Sequence, residues 1–225
     1  QWQWQFGGMN YFTHGRHFID YPYLLAGSAV PDWLSVLDRR VRARSKAAGR
    51  FVHSRDQRVA QVAAGIVRHH YDDDWFHRTR ASAPRHRDGP AAIRHRLPPA
   101  ASQSASFLRH MPVEMFSGAA LSRQRPTVWD KYYECLDHLD VELVGWIVDR
   151  IATGPAQHLS MLIPRFSRER FLYDYADDAK LLFRLNNVMQ RVGLPAIPEV
   201  LIPWFPLARA RVNQRMSELL GAVEE

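Results

Sequence analysis

Cysteine is nearly absent. Cys135 stands alone in the chain, which excludes an internal disulfide framework and any cysteine-based zinc finger. No apolar run approaches the roughly 18 residues that a membrane span needs. Alternating β-branched runs parted by Asn-Gly or Asp-Gly turns are also missing, which argues against a sheet protein. Lysine is scarce too: Lys46, Lys131 and Lys180 are the only lysines among 30 basic residues, and the rest are arginine. What remains is a chain of 225 residues, 46% hydrophobic and 24% charged. That is enough to bury a real core, and it excludes wholesale disorder. The net charge is +7. Because arginine binds phosphate in bidentate fashion, the excess suits anionic substrates or nucleic acid, although an arginine-rich solvated surface accounts for it equally.

The first eight residues, QWQWQFGG, alternate polar and aromatic side chains and end in Gly-Gly. They resemble a short β-forming tag and linker, without the basic start or long apolar stretch of a secretory signal. Met9 is a natural start. Residues 1–8 are therefore set aside, and 9–225 are expected to form a single helical domain. With no signal and no cystines, the cytoplasm is the expected compartment.

The rest of the chain reads as helices, so the expected class is all-α. Pro31 suits a first helical turn and predicts a helix through about Ala48. Ser54, with Gln57 at the capping-box position, predicts the next helix, running through about His77. Val59, Val62, Ala63, Ile66 and Val67 form its apolar stripe. Residues 78–106 break the pattern with Pro84, Pro90, Pro98 and Pro99; they read as a mobile arm, or as a loop holding a short helix around Ala91–Arg96. Further helices are expected at 107–121, from Pro126 through Trp146 to Ile151, at 174–192 ending on Gly193, and at 199–220. Trp129, Tyr132, Tyr133 and Trp146 read as core or cavity wall.

The histidines and acids are the most informative feature. In AGIVRHHYDDDWFH, Ala64 to His77, His69, Asp73 and His77 recur every four residues. On a helix they drift by only about 40° per step, so they line one stripe. His70, seven residues before His77, competes as a ligand. Imidazoles and carboxylates so spaced can share one metal ion or bridge two. The apolar stripe runs into this polar one, which points it inward, between core helices. His110 and Glu114 form a second pair, although Pro112 between them would break a regular helix. His14, Asp32 and His53 are further candidates that a bundle could bring together. Arg68 is expected to face away from the site. Arg165, Arg168 and Arg170, in PRFSRER, form a separate anion-binding candidate, or a capped helix start with solvated charges.

In sequence order, His14, Asp32, His53, His69-x-x-x-Asp73, His77 and His110-x-x-x-Glu114 resemble the ligand series of the zinc-dependent phospholipase C and single-strand-specific zinc nuclease superfamily. LAGSAVPDW, Leu25 to Trp33, is similar to its Gly-small-x-x-Pro-Asp element. AGIVRHHYDDDWFH, Ala64 to His77, is similar to its Gly-x-x-x-His-x-x-x-Asp element, and with MNYFTH, Met9 to His14, that stretch also resembles acyl-carrier-protein phosphodiesterases, relatives of HD-type hydrolases. The likeness covers about residues 9–120. It implies a helical fold that holds two or three metal ions, zinc first, with manganese or iron as alternatives, and hydrolyses a small or lipid-linked phosphate ester. By position, His53, His69, Asp73 and Asp32 would hold one ion, His77, His110 and Glu114 a second, and His14 a third shared with Asp73. The gap from Asp73 to His77 is shorter than that family's, which leaves room for a mononuclear or dinuclear HD-like site.

The chemistry follows from general principles. Two metal ions about 3.5–4 Å apart acidify a bridging water and clamp phosphoryl oxygens, and Asp32 is the candidate base. Two other functions compete. One is a non-catalytic basic helical module binding nucleic acid or an anionic surface, whose binding would weaken steeply with salt. The other is an HD-like di-iron oxygenase, since one scaffold hosts several chemistries.

Overall fold

The computed structural model describes residues 11–82, 127–191 and 193–214. The leader 1–8, residues 83–106 of the expected arm, the expected helix at 107–121 with His110 and Glu114, and residues 215–220 lie outside the described residues. Among those described, the chain is all-α. It has no β-strand, only an isolated bridge between Ala43 and Ala152. No helix there is long and apolar enough to cross a membrane. Contacts within the chain cluster into two compact units. Tyr11–Trp75 and Phe171 with the residues before it make up most of the first; Leu172 onward belongs to the second.

The first unit is built around α2 (Pro22–Leu37), with α1 (Tyr11–Gly15), α5 (Thr127–Asp137), α6 (Val141–Ile151) and α7 (Leu159–Glu169) against it. Six consecutive residues of α2, Leu25 to Val30, are buried, as expected of a helix surrounded by others. The helix does not begin at Pro31. Pro22 takes the first-turn position and Pro31 lies inside, where it removes only the hydrogen bond to the Gly27 carbonyl. The helix ends at Leu37 because the Asp38 carboxylate accepts from the Arg40 N–H at 2.9 Å, turning the chain. A short α3 (Ser45–Ala48) follows.

The next helix, α4 (Gln57–Ser82), is capped by Asp56 rather than Ser54. The Asp56 carbonyl accepts from the Ala60 N–H, and its side chain accepts from the Arg58 N–H at 2.9 Å. The helix passes His77 by five residues, so positions 78–82 are helical rather than part of an arm. Val62, Ala63 and Ile66 are fully buried. Where α4 meets α2, Gly27 and Gly65 sit backbone to backbone: a Cβ on Gly65 would lie 2.3 Å from the Leu24 carbonyl oxygen. This approach brings the Ser28 carbonyl within reach of α4.

The single helix expected through Ile151 is two helices. Asp140 breaks it, its carboxylate accepting from the Leu143 N–H at 3.0 Å to start α6. Helix α7 carries Pro164 inside it and places Arg165, Arg168 and Arg170 at its C-terminal end, not at a capped helix start. Its Phe166 is the centre of an aromatic cluster, with Tyr11 at 4.8 Å, Phe171 at 5.2 Å and Trp33 at 5.5 Å between ring centroids. Tyr11 lies one turn before His14, so this cluster fixes the helix that presents His14. Trp129, Tyr132 and Tyr133 are buried as expected, but Trp146 is 50% exposed. It falls off the α6 stripe of Val144, Ile147, Val148 and Ile151 and carries the Arg150 guanidinium 4.1 Å from its ring centroid.

The second unit contains a 3-10 turn (Phe171–Ala176, continuing from the first unit), α8 (Asp178–Arg191), a second 3-10 turn (Glu199–Trp204) and α9 (Phe205–Gln214). Asp177 caps α8 through the Lys180 N–H at 2.9 Å. Leu181, Leu182, Leu185, Val188 and Met189 form its buried stripe. At its end, Gly193 adopts φ +72°, and the N–H groups of Gly193 and Leu194 return to Gln190 and Met189. Asp174 pairs with Arg184 at 2.6 Å, and Asp178 with Arg209. These acids are thereby accounted for by caps and ion pairs. The helix expected at 199–220 starts as a 3-10 turn, since Pro203 cannot donate the α-helical bond.

Candidate metal centre

The stripe on α4 continues from Ile66 to His69 and Asp73. His69 is buried, 4% exposed. Its Nδ1–H donates to the Ser28 carbonyl at 2.8 Å. A carbonyl can only accept, so Nδ1 carries a proton, and in the neutral ring Nε2 is left for the site. That Nε2 lies 3.4 Å from Asp73 Oδ2. From α1, the buried His14 ring packs on His69 at 4.2 Å between centroids, with its Nε2 3.3 Å from Asp73 Oδ1. Each oxygen of Asp73 thus faces a different imidazole.

One ligand atom from each of His14, His69 and Asp73 fits within 4.8 Å. Two imidazoles and a carboxylate are donors of the kind that zinc, manganese and iron accept. The donor set therefore fits a divalent ion. Asp73 is 45% exposed while the imidazoles are buried, so the carboxylate side of the cluster meets solvent.

Without an ion, a proton holds the cluster together. Burial disfavours the His14 imidazolium, but the neighbouring carboxylates of Asp72 and Asp73, with the charge of Asp32, outweigh it and raise its pKa to about 10. Burial likewise opposes the Asp73 charge, yet His14 and His69 hold its carboxyl far below the usual carboxylate range. The signs give a pH prediction for the metal-free chain. The His14 contribution to stability is complete below about pH 6.5, the ordinary imidazole value, and is lost as pH rises towards 10. The Asp73 contribution is present above about pH 3.9 and is lost as pH falls below it. Metal-free melting temperatures should therefore decline from pH 6.5 to 9.5. An added divalent ion, which competes with the His14 proton, should stabilise more as pH rises. Calorimetry with and without chelator checks both trends, and a flat metal-free profile over that range would refute the proton-held cluster.

The other candidates have different placements. Asp32, on α2, acts on His14 by charge but is not one of the three clustered ligands. His53 is exposed in the turn before α4 and outside the cluster, where the polar turn leaves it facing solvent. His70 points elsewhere: its Nε2 is 2.7 Å from the Ala43 carbonyl, because one step of about 100° rotates it off the His69 face. His77 lies on α4, its side chain outside the described residues. Arg165 pairs with Glu169 at 2.8 Å, and Arg170 approaches Asp130 at 3.6 Å and the Tyr133 ring. Arg168 is exposed. Arg68 does not face away. Its Nε donates to Asp72 at 2.7 Å, and Asp72 in turn approaches His14. Neither Asp72 nor the Ser28 carbonyl stands out in the sequence; the i, i+4 spacing of Arg68 and Asp72 is the only signal for the former, and a backbone group gives none. Compared with known proteins, the chain matches no family model, no curated protein and no solved structure.

Proposed function

We propose that this protein is a metal-dependent phosphoric ester hydrolase of the phosphodiesterase or phosphatase type. The observation that carries the reading is the meeting of His14, from α1, with His69 and Asp73, from α4, at ligand spacing. Three protein ligands are the set that catalytic sites use when a position is kept for water or substrate. A divalent ion there, zinc first and manganese or iron as alternatives, would supply a water acidified towards neutrality and a Lewis acid for a phosphoryl oxygen. His69 is oriented for this by Ser28, and the half-exposed Asp73 marks the side from which substrate enters. Asp32, close enough to act on His14 by charge, is the candidate base. The arginine-rich net charge of +7 favours anionic esters, small or lipid-linked.

The test is elemental analysis of the purified chain alongside hydrolysis of bis(p-nitrophenyl) phosphate. We expect about one ion per chain, loss of activity on chelation and its return with zinc. A chain that takes up no stoichiometric metal after reconstitution would sink the reading. Two histidines and one carboxylate are also the ligand set of non-haem iron sites, which favours iron-dependent oxygen chemistry as the second reading. Bound iron with an optical signature, and no ester hydrolysis, would select it.

A further inference from the structure

Three aspartates follow one another on α4, and each has a different direction. Asp73 meets both imidazoles, whereas Asp72 is turned inward and only 9% exposed. A buried carboxylate is costly unless it is paired. Oδ1 of Asp72 accepts from Arg68 Nε at 2.7 Å, one turn back along the helix. Oδ2 lies 3.6 Å from Nδ1 of His14. That nitrogen is buried and has no hydrogen-bond partner among the described residues. Two i, i+4 pairs thus run side by side on α4, Arg68–Asp72 and His69–Asp73, and both lead to the ring that α1 supplies.

We infer that Asp72, held by Arg68, is the positioning residue for His14: it accepts the Nδ1–H and keeps Nε2 aimed at a divalent ion shared with His69 and Asp73. The inference rests on the metal reading above. A histidine that ligates a metal almost always donates its other ring N–H to a carboxylate, a carbonyl or water. His69 has the Ser28 carbonyl for this purpose, and Asp72 is the matching group for His14. A shift of a few tenths of an ångström brings the 3.6 Å separation into the hydrogen-bonding range of about 2.7–3.2 Å. Arg68 neutralises a second carboxylate that would otherwise be buried unpaired beside Asp73.

The experiment uses the full chain stripped of metal, titrated calorimetrically with Zn²⁺ and followed by visible absorption with Co²⁺. In Asp72→Ala the affinity should fall by about 10–100-fold, the usual cost of losing a group that orients a metal ligand. The Co²⁺ bands should shift, and Asp72→Asn, which keeps an acceptor oxygen, should recover part of the loss. If the alanine variant does not fold, Asp72→Leu, which keeps the volume without an acceptor, should show the same fall. Wild-type affinity with unshifted Co²⁺ bands in the folded alanine or leucine variant overturns the inference, even if the metal-free melting temperature drops. A wild-type chain that binds neither ion instead overturns the metal reading itself.

Discussion

Metal uptake should collapse in His69→Ala. His69 offers a nitrogen whose direction is already fixed, because its other nitrogen is committed to the Ser28 carbonyl at 2.8 Å. Groups that merely orient a ligand are worth about 10–100-fold in affinity, so removing the ligand itself should cost more than ~100-fold. Two donors, His14 and Asp73, would remain, with the Ser28 carbonyl left without its imidazole. Ester hydrolysis should fall to background in parallel. The matched comparison is His70→Ala, one residue along. Its imidazole bonds to the Ala43 carbonyl and lies outside the cluster, so metal content should be unchanged. Elemental analysis of the two variants beside wild type decides the matter. Equal metal content in wild type and His69→Ala would mean that the cluster is an ion-paired core feature and not a metal centre.

That contrast also shows what the sequence can convey. The continuity of Val62, Ala63 and Ile66 with His69 and Asp73 is a periodicity, and periodicity survives in a string of letters. It indicated both the helix and the inward direction of its polar stripe. It picks out Asp73, four residues after His69, from its neighbours Asp72 and Asp74, but it does not show that Asp72 turns inward towards His14, because only the surrounding helices decide that. His14 stands in the sequence only as one of several separated candidates that a bundle could bring together, alongside Asp32 and His53, since no spacing rule links α1 to α4. The Ser28 carbonyl was invisible, being a backbone atom placed by a helix crossing.

Boundaries failed for similar local reasons. Pro31 reads as a helix start, yet it lies within α2, whose buried face, Leu25–Val30, outweighs one lost hydrogen bond. Conversely, Asp140 ends a helical pattern that looked continuous, because a side-chain cap competes with the ladder.

The crossing that places Ser28 makes the second large prediction. Gly65→Ala should destabilise the protein by about 3 kcal/mol or more, the upper end of the cost of overpacking. The sign is informative, because alanine in a helix interior is intrinsically favoured over glycine by about 1 kcal/mol. Helix propensity alone therefore predicts the opposite result. Sterics should win: the added Cβ would lie 2.3 Å from the Leu24 carbonyl oxygen, 2.6 Å from the Ser28 nitrogen and 2.8 Å from the Gly27 carbonyl carbon. All three are backbone atoms of α2, and no rotamer change can move them. The helices must part, which pulls the Ser28 carbonyl from His69 and should weaken metal binding as well as lower the melting temperature by roughly 6–12 °C. Gly145→Ala on α6 is the control, since a Cβ there meets nothing within 4 Å and only the propensity gain applies. Thermal unfolding of the two metal-free variants should therefore move in opposite directions. A Gly65→Ala chain that melts at or above wild type would show that α2 and α4 are not held at this distance, and that His69 owes its orientation to something other than their crossing.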